Sequence, residues 1–213
     1  MASDGEWTQW RREVFGDPYL VWHDGPDFAV LLAMARSDLE AVGRMLAAGV
    51  HARDPLAAQS FGCLSADGLV PDGTLDLLRA AAQTAQDEFL IRLAEALFVL
   101  TADPSWAEPI VSVLATAESE FVRLDAAIAL AGFAPTRPLV RALARAVCDP
   151  DYLVRYHAAS TLLRYAGEGA DISDDGELFA KIATPAAGAP SEVDRRSWQS
   201  AADELSARVL PKP

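Results

Sequence analysis

The feature that most constrains this chain is a block that returns at intervals of 31 and 32 residues, marked by Arg92, Arg123 and Arg155. The copies read Leu90-Ile91-Arg92-Leu93-Ala94-Glu95-Ala96-Leu97, Phe121-Val122-Arg123-Leu124-Asp125-Ala126-Ala127-Ile128 and Leu153-Val154-Arg155-Tyr156-His157-Ala158-Ala159-Ser160. Each is introduced by acidic residues and an aromatic: Asp87-Glu88-Phe89, Glu118-Ser119-Glu120-Phe121 and Asp149-Pro150-Asp151-Tyr152. Upstream of each turn, apolar residues recur on one helical face: Leu75, Leu78 and Ala82; Ile110, Val113, Leu114 and Ala117; Leu139, Leu143 and Val147. Helix, acidic turn, helix is a hairpin that cannot bury its apolar stripe alone. It becomes stable only when neighbours stack on it.

The pattern extends weakly in both directions. Upstream, residues 38–46 and 54–64 read as a diverged hairpin in which Ala58 stands where the other copies carry Arg. Downstream, residues 177–182 and 191–205 read as a degenerate one, with Arg195 and Arg196 near the Arg column. Residues 1–25 read as an N-terminal cap. Ser3 and Glu6 have capping-box spacing, Trp7, Trp10 and Val14 share a helical face, and Gly16-Asp17-Pro18 ends that helix. Trp22, His23 and Asp24-Gly25-Pro26 then read as a turn into the array. Alanine supplies 41 of 213 residues, which favours closely packed helices, while Val, Ile and Thr are too few for a sheet. The expected fold is all-α.

The segment Asp149-Pro150-Asp151-Tyr152-Leu153-Val154-Arg155, followed by Ala158-Ala159 and Leu162, resembles a HEAT repeat. The short period is closest to the HEAT-like repeats of phycobilin lyases. The resemblance is good over residues 38–165 and poor from 166 onward. It implies a right-handed α-solenoid of four to five hairpins, with a cap at 1–25 and one array at 26–213 whose last repeat, 166–213, is degenerate. It also implies that the second helix of each hairpin lines the concave face, where Glu95, Asp125 and His157 would then point.

Charge bounds the partners. The chain has 31 acidic residues against 18 Lys and Arg and a net charge of −13, the wrong sign for a nucleic-acid binder. No run of apolar residues is long enough for a membrane span, and the N-terminus lacks the basic and apolar regions of a signal peptide. Cys63 and Cys148 form no framework and read as small apolar core residues in a reducing, cytoplasmic compartment. His23, His51 and His157 have no metal-ligand spacing, and no nucleophile or phosphate-loop motif occurs. The loop from Asp171 to Glu177 carries oxygens at calcium-loop positions, but Ile182 stands where a bidentate Glu is needed. It reads as a connection leading into a helix. The stretch 184–190 reads as a Pro/Ala-rich loop.

These readings assign no catalytic residue, metal or cofactor. Arg92, Arg123 and Arg155 are expected to form a structural ladder with the acidic turns, through charge-assisted hydrogen bonds. Glu88, Glu95, Glu120, Asp125, Asp151 and His157 are the expected partner-binding residues, although acids at the turns also suit helix capping. The expected function is a non-catalytic protein-protein interaction module whose acidic concave groove binds a basic protein. An immunity protein that neutralises a basic toxin is the concrete form, and an adaptor or assembly factor fits equally well. The alternative implied by the resemblance is a phycobilin-lyase-like enzyme or chaperone acting on a tetrapyrrole-bearing protein. A HEAT-like DNA glycosylase would need a basic concave face, against which the charge argues.

Overall fold

The computed structural model describes residues 4–183 and 189–210, and every regular element within them is a helix. Ser3, and with it the proposed capping box, lies outside the described residues, as does most of the 184–190 loop. The chain divides into two compact units, Met1–Trp106 and Ala107–Pro213.

The first unit holds α1 (Asp4–Phe15), α2 (Pro18–Asp24), α3 (Ala29–Ser37), α4 (Leu39–His51), α5 (Pro55–Ala66), α6 (Thr74–Ala82) and α7 (Asp87–Thr101). Two of these helices depart from the sequence reading. Pro18 does not lead into an irregular linker. Asp17 accepts a hydrogen bond from the Tyr19 backbone N–H, and proline's fixed φ suits a first helical turn, so a short helix replaces the expected turn at Trp22 and His23. The 29–37 segment is a helix that the repeat pattern did not announce. It buries Leu31 and Ala35.

Packing in this unit follows hairpin logic. Helices α4 and α5 pair, as do α6 and α7; α4 also packs on α6, and α5 on α7. Helix α5 has almost no polar face: Leu56, Ala57, Ala58, Phe61 and Leu64 are all buried. At about 1.5–3 kcal/mol per large apolar side chain, the α5–α7 contact is a principal source of stability for this unit. A Cβ at Gly62 would lie 3.4 Å from Ala96 Cα of α7, so the small residue sets how closely these helices approach.

Helix α1 packs on α4 and α3. Trp7 and Val14 are buried, and Trp7 stacks near Trp10 with centroids 5.6 Å apart. Trp7 Nε1 donates to Asp54 Oδ2 at 3.0 Å, and Arg11 Nε lies 2.9 Å from the same oxygen. Asp54 is also the N-cap of α5, accepting from the Leu56 N–H, so one carboxylate ties the cap helix to the α4–α5 turn. Gly49 leaves room for that seat.

The second unit holds α8 (Ala107–Thr116), α9 (Glu120–Leu130), α10 (Arg137–Ala146), α11 (Tyr152–Ala166), α12 (Gly176–Ile182) and α13 (Glu192–Val209). Helices α8 and α9, α10 and α11, and α12 and α13 pair as hairpins; α8 packs on α10, α9 on α11 and α11 on α13. The last hairpin departs from the pattern, because α13 also packs on α10. Arg195 and Arg196, placed near the Arg column from sequence, are both exposed on α13. The loop with calcium-like spacing is a connection: Asp171 caps a single 3-10 turn, Asp175 caps α12, and Ile182 is fully buried. Cys63 and Cys148 are half-buried rather than core residues, and burial raises both thiol pKa values.

Two outcomes follow from this packing. A Cβ at Gly49 would fall 2.6 Å from Ala57 Cβ and 2.7 Å from the Trp7 ring. Gly49→Ala should therefore lower stability by about 1–3 kcal/mol in denaturant unfolding; an unchanged midpoint would mean that the cap does not sit this close. In the second unit, Glu204 accepts from Lys181 Nζ at 2.6 Å and Arg208 Nη2 at 2.7 Å. These cations hold its carboxyl below the ordinary value of 4.5. Its contribution is thus complete above that pH and is lost as the pH falls toward the lowered value. Glu204→Gln should flatten the acid limb of a Tm-versus-pH curve, and a parallel limb would contradict this role.

Candidate functional site

From the sequence, the Arg column was expected to form a structural ladder with the acidic turns, and some of those acids to bind a partner. The second unit joins two of their members directly. Arg123, in the second turn of α9, grips Asp149 with two parallel bonds: Nε to Oδ2 at 2.8 Å and Nη2 to Oδ1 at 3.1 Å. Its third nitrogen, Nη1, donates to the Ala117 and Glu118 carbonyls at 3.1 and 2.8 Å, just beyond the end of α8. One guanidinium therefore closes the α8–α9 turn and reaches the turn of the next hairpin. Both partners are largely buried, and the bond to Asp149 raises the Arg123 pKa. Asp149 also accepts from the Asp151 N–H at 2.8 Å, which fixes the start of α11.

Arg155 repeats half of this geometry one hairpin later. Nη1 donates to the Asp149 and Pro150 carbonyls at 2.7 and 2.9 Å, the same positions relative to the Arg that Arg123 uses. Its Nε donates to the Ile182 carbonyl at the end of α12, at 3.1 Å, where Arg123 found a carboxylate. The side chain is only 2% exposed, and its guanidinium lies 4.0 Å from the Trp198 ring centroid of α13. Burial lowers its pKa, and stacking on Trp198 with carbonyl bonds replaces some of the lost hydration. Trp198 was not flagged from sequence, because a lone Trp in a degenerate repeat has no periodic partner to point to it.

In the first unit, Arg92 Nη1 donates to Glu95 Oε2 at 2.9 Å, one turn along the same helix. Arg53, in the α4–α5 turn, links two hairpins: it donates to the Thr84 carbonyl at 2.9 Å and lies over the Phe89 ring. Arg53 holds φ of +59°, an unusual conformation for a non-glycine residue.

The acids divide by role. Asp151 is the N-cap of α11 and accepts from the Leu153 and Val154 N–H groups at 2.9 and 3.1 Å. Glu88 and Glu120 lie exposed in the first turns of α7 and α9, where a carboxylate suits the helix dipole. Glu95, Asp125 and His157 are half-buried on α7, α9 and α11. Burial lowers the His157 pKa, favouring the neutral imidazole at pH 7, and its ring meets Tyr156 edge-on. Tyr156 in turn donates to Asp171 and packs against Phe179 of α12.

The helices that carry Asp125 and His157 also carry exposed apolar side chains. Phe121 is 65% exposed, Ile128 44% and Leu153 46%. Phe121, Leu124 and Ile128 fall on one face of α9, while Leu153, Tyr156 and His157 fall on one face of α11. The two helices pack side by side. The sequence reading listed the charged members of this surface and missed the apolar ones, since an aliphatic residue inside a repeat reads as core.

The described residues contain no group of three or more His, Cys, Asp or Glu side chains arranged to hold a metal ion, and no helix long and apolar enough to cross a membrane. Comparison with protein-family models, curated proteins and solved structures returned no match to this chain.

Arg123→Ala should cost about 1–3 kcal/mol, because it strands a largely buried Asp149 and frees two carbonyls. Arg123→Lys should recover only part of this, since an ammonium cannot fork a carboxylate. Equal stability of wild type and Arg123→Ala in urea unfolding would remove the Arg from the structure's supports.

Proposed function

We propose that this protein is a non-catalytic interaction module built as a HEAT-like α-solenoid of four to five hairpins, and that it holds a basic protein partner on the open face of its second helices. The observation that carries this reading is the α9–α11 surface. Exposed Phe121 and Ile128 share a helical face of α9 with half-buried Asp125, Glu120 is exposed in the first turn of that helix, and exposed Leu153 lies on α11, which packs beside it. Apolar contact area with a carboxylate rim is the usual composition of a protein-binding patch. His157 adds no positive charge there at neutral pH. The structural Arg residues leave the surface acidic, because Arg123 is neutralised by Asp149 and Arg155 is buried.

The net charge of −13 raises the encounter rate with a basic partner. An immunity or inhibitor protein that covers a basic toxin is the most concrete form of the reading. The free cysteines Cys63 and Cys148 suit a reducing, cytoplasmic setting for it.

The test is binding of partners retained from the native cell, compared between wild type and the double variant Glu120→Lys, Asp125→Lys. The variant should keep its helicity and bind the retained partner at least about tenfold more weakly, and wild-type affinity should fall as salt rises. Unaltered affinity in the variant would move the binding surface off α9, and salt-independent affinity would contradict the electrostatic basis.

A further inference from the structure

Helix α10 carries a surface of opposite sign. Leu139, Val140, Ala142, Leu143 and Ala146 form its buried face. On the other face, Arg137, Arg141 and Arg145 follow one another at i, i+4 and i+8, and all three are exposed. At 1.5 Å of rise per residue the row spans about 12 Å. Among the described residues none of the three has a hydrogen-bond or ion-pair partner, whereas Arg11, Arg36, Arg44, Arg123 and Arg208 each meet a carboxylate. Like charges one turn apart repel, and Arg137 also sits at the positive end of the helix dipole.

The row ends beside a cleft. Arg145 borders an opening of about 560 Å³ between α8 and α10, whose floor includes Val111, Leu114, Ala115 and Ala142. Of the other charged residues that line it, Arg123 and Asp149 already bind each other, and Glu118 is exposed, so the ligand's carboxylates belong on the arginine row and its apolar side chain in the cleft.

We propose that the Arg137–Arg141–Arg145 row and this cleft form a docking surface for an acidic, amphipathic segment of a partner protein. Carboxylates one helical turn apart meet the three guanidinium forks, and an apolar side chain of the same segment enters the cleft beside Arg145. Guanidinium groups bind carboxylates with two parallel bonds, so regular spacing in the row selects regular spacing in the ligand. The length of the row favours a short peptide segment over nucleic acid. It is only slightly longer than the Debye length of about 8 Å, so a polyanion running past it meets the repulsion of the acidic chain. Helix α10 also has no aromatic residue on which a base would stack. This surface is independent of the acidic one on α9 and α11, so either can fail without the other.

The probe is a labelled peptide of about 16 residues, long enough for partial helicity, with Glu at every fourth position and Leu between. Its controls are an isomer with the glutamates clustered at one end and an oligothymidylate. Binding is followed by fluorescence anisotropy at about 50 mM salt, where surface charge is weakly screened. Wild type should bind the spaced peptide more tightly than the clustered isomer or the oligothymidylate. Replacing the row with glutamine (Arg137→Gln, Arg141→Gln, Arg145→Gln) should weaken that binding about tenfold or more, with circular dichroism unchanged. Reversing the row (Arg137→Glu, Arg141→Glu, Arg145→Glu) should transfer the preference to a peptide carrying Lys at the same positions. The proposal is overturned if wild type does not bind the spaced peptide, if the glutamine variant binds it equally well, or if the row binds the oligothymidylate in preference.

Discussion

The arrangement of the second unit depends on where a guanidinium can find acceptors. A helix leaves its last carbonyls without intrahelical partners, and a turn between two packed helices gives water limited access to them. Arg123 and Arg155 meet that need in the same way, each turning Nη1 back onto two carbonyls of the turn before its own helix. The remaining nitrogens then reach forward to whatever the next hairpin presents. For Arg123 this is Asp149, and for Arg155 it is the Ile182 carbonyl and the Trp198 ring. An ion pair at Arg123 thus gives way at Arg155 to a cation stacked on an aromatic of the α12–α13 hairpin. The backward half of the geometry stays fixed while the forward half adapts.

This explains what could be read in the sequence. The period, the Arg position and the small residues after it all report packing constraints shared by every copy, so they survive as spacing. The helices α4 to α11 were legible for that reason, and so was the capping role of Asp151. Helices α2 and α3 were not, because they lie outside the repeat. A single Asp-Pro pair looks the same whether it ends one helix or starts the next. The forward partner of each Arg was legible only at Arg123. Arg92 donates to Glu95 on its own helix, and Arg53 links two hairpins through the Thr84 carbonyl. Trp198 and the exposed faces of α9 and α10 were illegible for a different reason. Exposure is a property of the packed helices, and Phe121 or Arg141 has the same sequence signature whether covered or open.

The acidity that seemed to define the partner is unevenly placed. Residues 1–106 carry 16 acidic against 7 basic side chains, while residues 107–213 carry 15 against 11. Much of the acid in the second half is engaged: Asp149 with Arg123, Asp171 with Tyr156, and Glu168, Asp175 and Glu204 with Arg208. The exposed surface of that unit includes an apolar and acidic face on α9 and α11 and an arginine row on α10. Local composition, and not net charge, determines what each surface will accept.

The central claim is that Arg123 and Asp149 act as one coupled element. A double-mutant cycle with Arg123→Ala, Asp149→Ala and the two together, followed by urea unfolding, measures that coupling without assigning it to either residue. The two are in direct bidentate contact and largely buried, so the account predicts an interaction energy of about 1–3 kcal/mol. The double variant should then be little worse than the more damaging single one. Additive losses, with no measurable coupling, would contradict the claim.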